Sequence, residues 1–289
     1  MTEQETLAPM EWGELIGKAM ATYRGSIGSL YLLSLLTTSA SFAVNVGFQV
    51  TNGTTSRAFM SGDLSKVLAA AATSLVAMML TFVMQLLIMA FQEGALTLAA
   101  SWIVLGERPS LAEMARGTFY RMPSLFLASL VWWVIFVPAL LACCLPGIVP
   151  ATLFSLVIPG IVLEDLGPIA TFRRSWNLIT VSTVTNQKPL LHAFLVLLIA
   201  FAIVMGVSIV AGAPGAIAGM AWGMAHQNPS NPFAVPTPPA WLYVLPGIWQ
   251  VPVMALTLPF SAIVRVLLFY DLKLKQEGDD VEGAPVAAV

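Results

Sequence analysis

Ionisable side chains are scarce in this sequence. Its 289 residues include 13 Lys and Arg and 15 Asp and Glu, so charged residues make up only 10%. A soluble domain usually carries about 25%, and a chain with so few would have to show water an apolar surface. The formal net charge of −2 argues against a nucleic-acid partner, because there is no basic excess to neutralise a polyanion. The two cysteines, Cys143 and Cys144, are adjacent. Neighbouring cysteines bridge each other only with strain, and within an apolar run they read as small packing residues. The two histidines, His192 and His226, fall on opposite membrane faces in the topology derived below, so they cannot share a metal ion. There is no ligand spacing for zinc, and no His-Glu-x-x-His, phosphate loop or dinucleotide fingerprint. The sequence therefore predicts no catalytic residue, no cofactor and no metal, with each histidine a local hydrogen-bonding group. The start of the chain carries Glu3, Glu5, Glu11 and Glu14 and lacks the basic start and short apolar core of a cleavable leader.

Apolar residues are abundant. They make up 58% of the chain, and mean hydropathy is +0.84. Runs long enough to cross about 30 Å of hydrocarbon recur at 27–49, 68–92, 123–143, 146–163, 190–212 and 245–269. In lipid each backbone polar group must be satisfied within its own element, so these runs read as helices. Lys18, Arg24, Arg108, Arg116, Arg121, Arg173, Arg174, Lys188, Arg265, Lys273 and Lys275 fall on one side of the six spans, and only Arg57 and Lys66 on the other. The positive-inside rule then puts both termini in the cytoplasm.

The basic segments Glu11–Arg24, Leu111–Arg121 and Ile169–Ile179 mix cations with apolar residues at helical spacing. They read as amphipathic helices at the membrane interface, with Phe119, Tyr120, Phe172 and Trp176 suited to the headgroup layer. An internal repeat is visible. Leu145-Pro146-Gly147-Ile148 opens span four and Leu245-Pro246-Gly247-Ile248 opens span six, with Pro159 and Pro259 at the same later offset. Tyr23-Arg24, Tyr120-Arg121 and Phe172-Arg173 stand ahead of the hairpins in comparable places. The predicted fold is all-α and polytopic, with about six transmembrane helices in three hairpins, forming a single membrane domain over 1–277. The acidic, then small and apolar, tail 278–289 reads as disordered. The stretch 213–240, with Gly215, Gly219 and Gly223 at small-residue spacing, either extends span five or re-enters the membrane.

Polar groups inside spans are costly unless paired, which singles out Asn45, Gln85, Gln92, Glu93, Glu164, Asp165 and Arg265. The repeat offset brings Glu164 and Arg265 to similar depths, so they are expected to pair. Such a pair reads as an inter-helix clamp or as a polar site on a lipid or solute path. Gly147, Pro159, Gly247 and Pro259 predict kinks in spans four and six.

Two segments resemble a known family. Residues 161–178 carry Glu164 at a span end, followed by Arg174, Ser175, Trp176 and Leu178. Residues 266–278 carry Tyr270, Asp271, Leu272, Glu277 and Gly278. Together they are similar to the membrane domain of bacterial glycerophosphoryl diester phosphodiesterases, and Gly13-Glu14-Leu15 and Tyr23-Arg24 fit that family's opening helix. Lys273 and Lys275 stand where the family has arginines, which keeps charge but loses the bidentate fork. The resemblance implies a stand-alone member in the bacterial inner membrane, without the phosphodiesterase barrel. The resemblance picks out Glu164, Arg174, Trp176, Tyr270, Asp271 and Glu277, and with Arg265 from the repeat these are the candidate polar residues. The expected function is a non-enzymatic membrane scaffold, anchor or regulatory subunit. Its partners would be membrane lipids, met at a basic cytoplasmic rim, and other membrane or cytoplasmic proteins. The alternative is a transporter or lipid-translocating protein using a cavity between kinked hairpins.

Overall fold

A computed structural model of the protein describes residues 10–59, 64–107, 110–142, 144–180, 189–226, 239 and 241–277. The described residues form eight helices and no strand: α1 (Trp12–Phe59), α2 (Leu64–Val104), α3 (Leu111–Ala142), α4 (Cys144–Leu153), α5 (Val157–Glu164), α6 (Pro168–Thr180), α7 (Pro189–Ala225) and α8 (Trp241–Glu277). Among them, α1, α2, α3, α7 and α8 contain stretches long and apolar enough to cross a membrane. The protein is an all-α polytopic membrane protein.

The fourth expected span, 146–163, is not one helix. It breaks into α4 and α5 at Phe154–Leu156. Pro159 explains the place: it has no N–H to give to the carbonyl of Ser155, and its ring crowds that carbonyl. The carbonyls around the break find other donors. Ser175 Oγ donates to the Leu153 carbonyl at 2.6 Å, and Ser155 Oγ to that of Thr152 at 2.8 Å. The Val157 N–H donates to Phe154 O at 3.2 Å. By contrast, α8 stays helical through Pro246, Pro252 and Pro259.

Two of the three expected interfacial helices are not separate elements. Residues 111–121 are the opening turns of α3, and residues 12–24 those of α1. The helix runs on through Gly25 in α1 and through Pro123 in α3. The third is separate, because Asp165 takes the left-handed conformation (φ 52°) at the end of α5 and Pro168 then begins α6, a stop followed by a favoured start. Helix α3 is opened by a capping box: the Ser110 backbone N–H donates to Glu113 Oε2 at 2.9 Å, and the Glu113 N–H returns to Ser110 Oγ at 3.3 Å. The open question at 213–240 is answered for its first part, since α7 runs unbroken through Pro214 to Ala225. Residues 227–238, 240 and the tail 278–289 lie outside the described residues.

The chain packs as two compact units. The first comprises 1–34, 89–204 and 256–289, and the second 35–88 and 205–255. In the first unit α8 is the central post, with Phe260, Ala262, Ile263, Val264, Val266, Leu267, Leu268, Phe269 and Leu272 all buried. Fully 56% of its most apolar stretch is buried, against 11–22% in the other spanning helices. Close approaches rest on glycine. A Cβ at Gly94 of α2 would stand 2.5 Å from Leu125 of α3, and one at Gly160 of α5 would stand 2.6 Å from Thr171 of α6.

In the second unit α7 and α8 run antiparallel. Ser208 meets Met254, Gly215 lies against Pro246, and the ring of Trp222 meets that of Trp241 edge-on at 6.4 Å. Helices α1 and α2 are joined there by Gln85, whose Oε1 accepts from Ser41 Oγ at 2.7 Å and whose Nε2 donates to Ser41 O at 3.0 Å.

Candidate functional site

Among the described residues of the first unit, four charged groups tie one element to another. The first centres on Glu164, the last residue of α5. Arg174 of α6 donates Nε to Oε2 and Nη2 to Oε1, each at 3.0 Å, and Lys273 of α8 stands 2.9 Å from Oε1. One carboxylate therefore fastens three helices. The fork of Arg174 supplies the bidentate geometry, and Lys273 adds a point charge.

The second group lies deeper. Asp271 of α8 is fully buried. Its Oδ1 accepts from the backbone N–H of Met10 at 2.7 Å, and its Oδ2 accepts from Lys275 Nζ at 2.8 Å. Lys275 also donates to the Met10 carbonyl at 2.7 Å. Both backbone groups of Met10, just ahead of α1, are thus held by one Asp-Lys pair at i, i+4 on α8. His192, in the first turn of α7, places Nε2 3.0 Å from Asp271 Oδ2, without the alignment of a hydrogen bond. The other two groups are Arg265 of α8 with Glu93 of α2, at 2.5 Å, and Arg121 of α3 with Asp165, at 3.1 Å.

The expected Glu164–Arg265 pair does not form. Each residue is ion-paired, but with a different partner, Glu164 with Arg174 and Lys273 and Arg265 with Glu93. Lys273 and Lys275 are two residues apart, so they leave α8 on opposite sides and serve different groups. Trp176 is 47% exposed and tilts against Phe154 at 6.5 Å. Tyr270 packs partly buried on the core and meets Phe269 edge-on at 6.1 Å. Glu277 is the last residue of α8, and its side chain lies outside the described residues. Of the histidines, His226 is local as expected, with Nδ1 3.0 Å from Trp222 O. His192 reaches across to α8 instead.

Sequence reasoning named Glu164 and Asp271 but did not foresee most of the partners in these groups: Met10, Arg121, His192, Lys273 and Lys275. The i, i+4 spacing of Asp271 and Lys275 was the available signal for one of them. The backbone clamp on Met10 has no side-chain signature at all. Ser175, named only as a motif residue, proves to be buried and to serve the broken α4–α5 backbone.

Chemically, these groups can hold helix ends together. Each carboxylate in them already faces a cation, and no cluster of three or more His, Cys, Asp or Glu suited to a metal ion occurs among the described residues. No family model, curated protein or solved structure matches the chain.

Proposed function

We propose that this chain is a non-enzymatic membrane scaffold, anchor or regulatory subunit, a relative of the phosphodiesterase membrane domain, in a bacterial inner membrane with both termini in the cytoplasm. The observation that carries the reading is the consumption of charge. Glu93, Glu164, Asp165 and Asp271 are each engaged by a cation of the same unit, so none is left to receive a solute. Gln85 of α2 is likewise engaged, donating Nε2 to the Ser41 carbonyl of α1, and Asn45 donates to that same carbonyl one turn back on its own helix. A bundle whose polar groups bind one another is suited to holding a shape within the bilayer and presenting its surface to lipids and to other proteins.

One observation favours the alternative, a transporter or lipid-translocating protein. The interruption between α4 and α5 is of the kind that transporters place at substrate sites. Here, though, the carbonyls of Thr152, Leu153 and Phe154 are taken by donors of the chain itself.

Reconstitution into liposomes with solute-flux and lipid-flip assays tests the reading. The expected result is flux equal to that of empty liposomes. Flux well above them overturns the scaffold role.

A further inference from the structure

The arginines of the first unit divide into two sets. Arg121, Arg174 and Arg265 each bind a carboxylate. Arg24, Arg116 and Arg173 are exposed and have no hydrogen-bond or ion-pair partner among the described residues. Two of these, Arg116 and Arg173, stand on helices that pack on each other, α3 and α6.

Their freedom has a structural cause. Glu113 lies one turn before Arg116, where an i, i+3 pair would be ordinary. The capping box turns that carboxylate back onto Ser110, whose N–H and Oγ both donate to its Oε2. Arg173 adjoins Arg174, and Glu164 spends both of its oxygens on Arg174 and Lys273.

Exposed apolar and aromatic side chains stand one turn from each of the two free arginines. Phe119 and Tyr120, one turn past Arg116, are 73% and 80% exposed. Ile169 and Trp176, one turn to either side of Arg173, are 81% and 47% exposed. A free cation beside an outward aromatic or aliphatic side chain suits the boundary between headgroup and acyl chain, where rings sit at headgroup level and cations meet phosphate.

We propose that the outward faces of α3 and α6, Arg116 with Phe119 and Tyr120 and Arg173 with Ile169 and Trp176, form a docking surface for the headgroups of anionic phospholipids. Charge complementarity selects this occupant, since both cations lack a counter-ion among the described residues. The inference rests on the reading of the chain as a scaffold that meets lipid at its basic end, and it gives that contact its residues and its lipid class.

The test uses the full-length protein in a neutral detergent, titrated with phosphatidylglycerol or with phosphatidylcholine of the same acyl length and followed by native mass spectrometry. The parent protein should take up phosphatidylglycerol in preference. Each arginine near the headgroup should contribute about fivefold, so R116Q/R173Q should bind it about 25-fold more weakly. The melting temperature of R116Q/R173Q in phosphatidylcholine micelles should equal the parent's, and R24Q should keep most of the preference. Unchanged phosphatidylglycerol binding in R116Q/R173Q, or no preference in the parent, overturns the proposal. If the double variant does not fold, R116Q and R173Q are measured singly. A loss of about fivefold in each supports the surface, and parental binding in both sinks it. Displacement of the lipid by glycerol 1-phosphate at matched concentration would mark a site for a free phosphate ester and overturn the lipid assignment. A positive flux assay would remove the scaffold reading without altering this lipid preference, so the two fail separately.

Discussion

The two units of this protein differ in what holds their helices. In the first, ion pairs and hydrogen bonds between carboxylates, cations and backbone groups fasten α1, α2, α3, α5, α6 and α8 around a buried α8. In the second, the ties between helices include the neutral pairs Ser41–Gln85 and Ser208–Met254. Its surface is apolar: Leu68, Leu75, Val76, Met79, Leu80, Val210, Ile217, Met220 and Met224 are each more than half exposed. Lipid tails are as apolar as these side chains, so burying them against one another yields little. Specific fastening has to come from close packing or from polar groups. The first unit has both, and in the second close packing is seen where the ring of Phe42 lies on Gly247.

The comparison is broken most directly at Asp271. Removing it leaves Lys275 buried with no anion and the Met10 N–H without its acceptor. D271A is expected to lower stability by about 3–5 kcal/mol, the usual cost of stripping one partner from a buried pair. Reversible unfolding in a denaturing detergent measures it. D271L/K275L, which removes both charges, should lose less than D271A alone. If the double variant is the worse of the two, the pair stabilises by more than mutual neutralisation.

Glu164 comes next. E164Q keeps the shape but cannot neutralise both Arg174 and Lys273, so about 1.5–3 kcal/mol should be lost. Limited proteolysis should then cut near α6 more readily, because the Arg174 tie between α5 and α6 is weakened. No change in either readout would place the strength of that junction in Ser175 and the Gly160–Thr171 approach instead.

How far such groups could be foreseen depends on what sequence carries. Apolar runs marked the five long helices, and the motif residues lie at the ends of α5 and α8. The pairing of Glu164 failed because the repeat offset assumed one uninterrupted helix. Phe154–Leu156 are not helical, so Glu164 comes level with Lys273, eight residues or about 12 Å along α8 from Arg265. Depth alone also says nothing about rotation. At about 100° per residue, Arg265 faces Glu93 of α2, while Lys273 faces α5. The separateness of α6 was legible in Gly167-Pro168, whereas the continuity of α1 and α3 was not, because an amphipathic pattern shows which face is apolar and not where a helix ends.

The comparison is sharpened by making one change in both units. At Gly94 an added Cβ meets Leu125 at 2.5 Å and Thr118 at 3.0 Å. G94A should therefore cost about 1–3 kcal/mol through overpacking. At Gly212 of α7 an added Cβ meets nothing within 4 Å. G212A should be neutral or stabilise by up to about 1 kcal/mol, since alanine is the better helix former. Equal destabilisation by both would mean that the second unit is packed as tightly as the first.

The smallest effect is expected on the outer face of α2. Leu80 is 63% exposed, and in the bilayer its side chain exchanges protein contacts for lipid contacts of the same polarity. L80A should change stability by less than about 0.5 kcal/mol, the range of a surface substitution away from special features. The same truncation at the fully buried Leu267 of α8 should cost about 2–5 kcal/mol, because a cavity remains. Both values come from the same unfolding titration, so their difference measures the contrast between the units free of any charge effect. If L80A costs as much as L267A, then the exposed face of α2 is covered in the membrane by protein rather than by lipid, and the second unit holds an interface between chains.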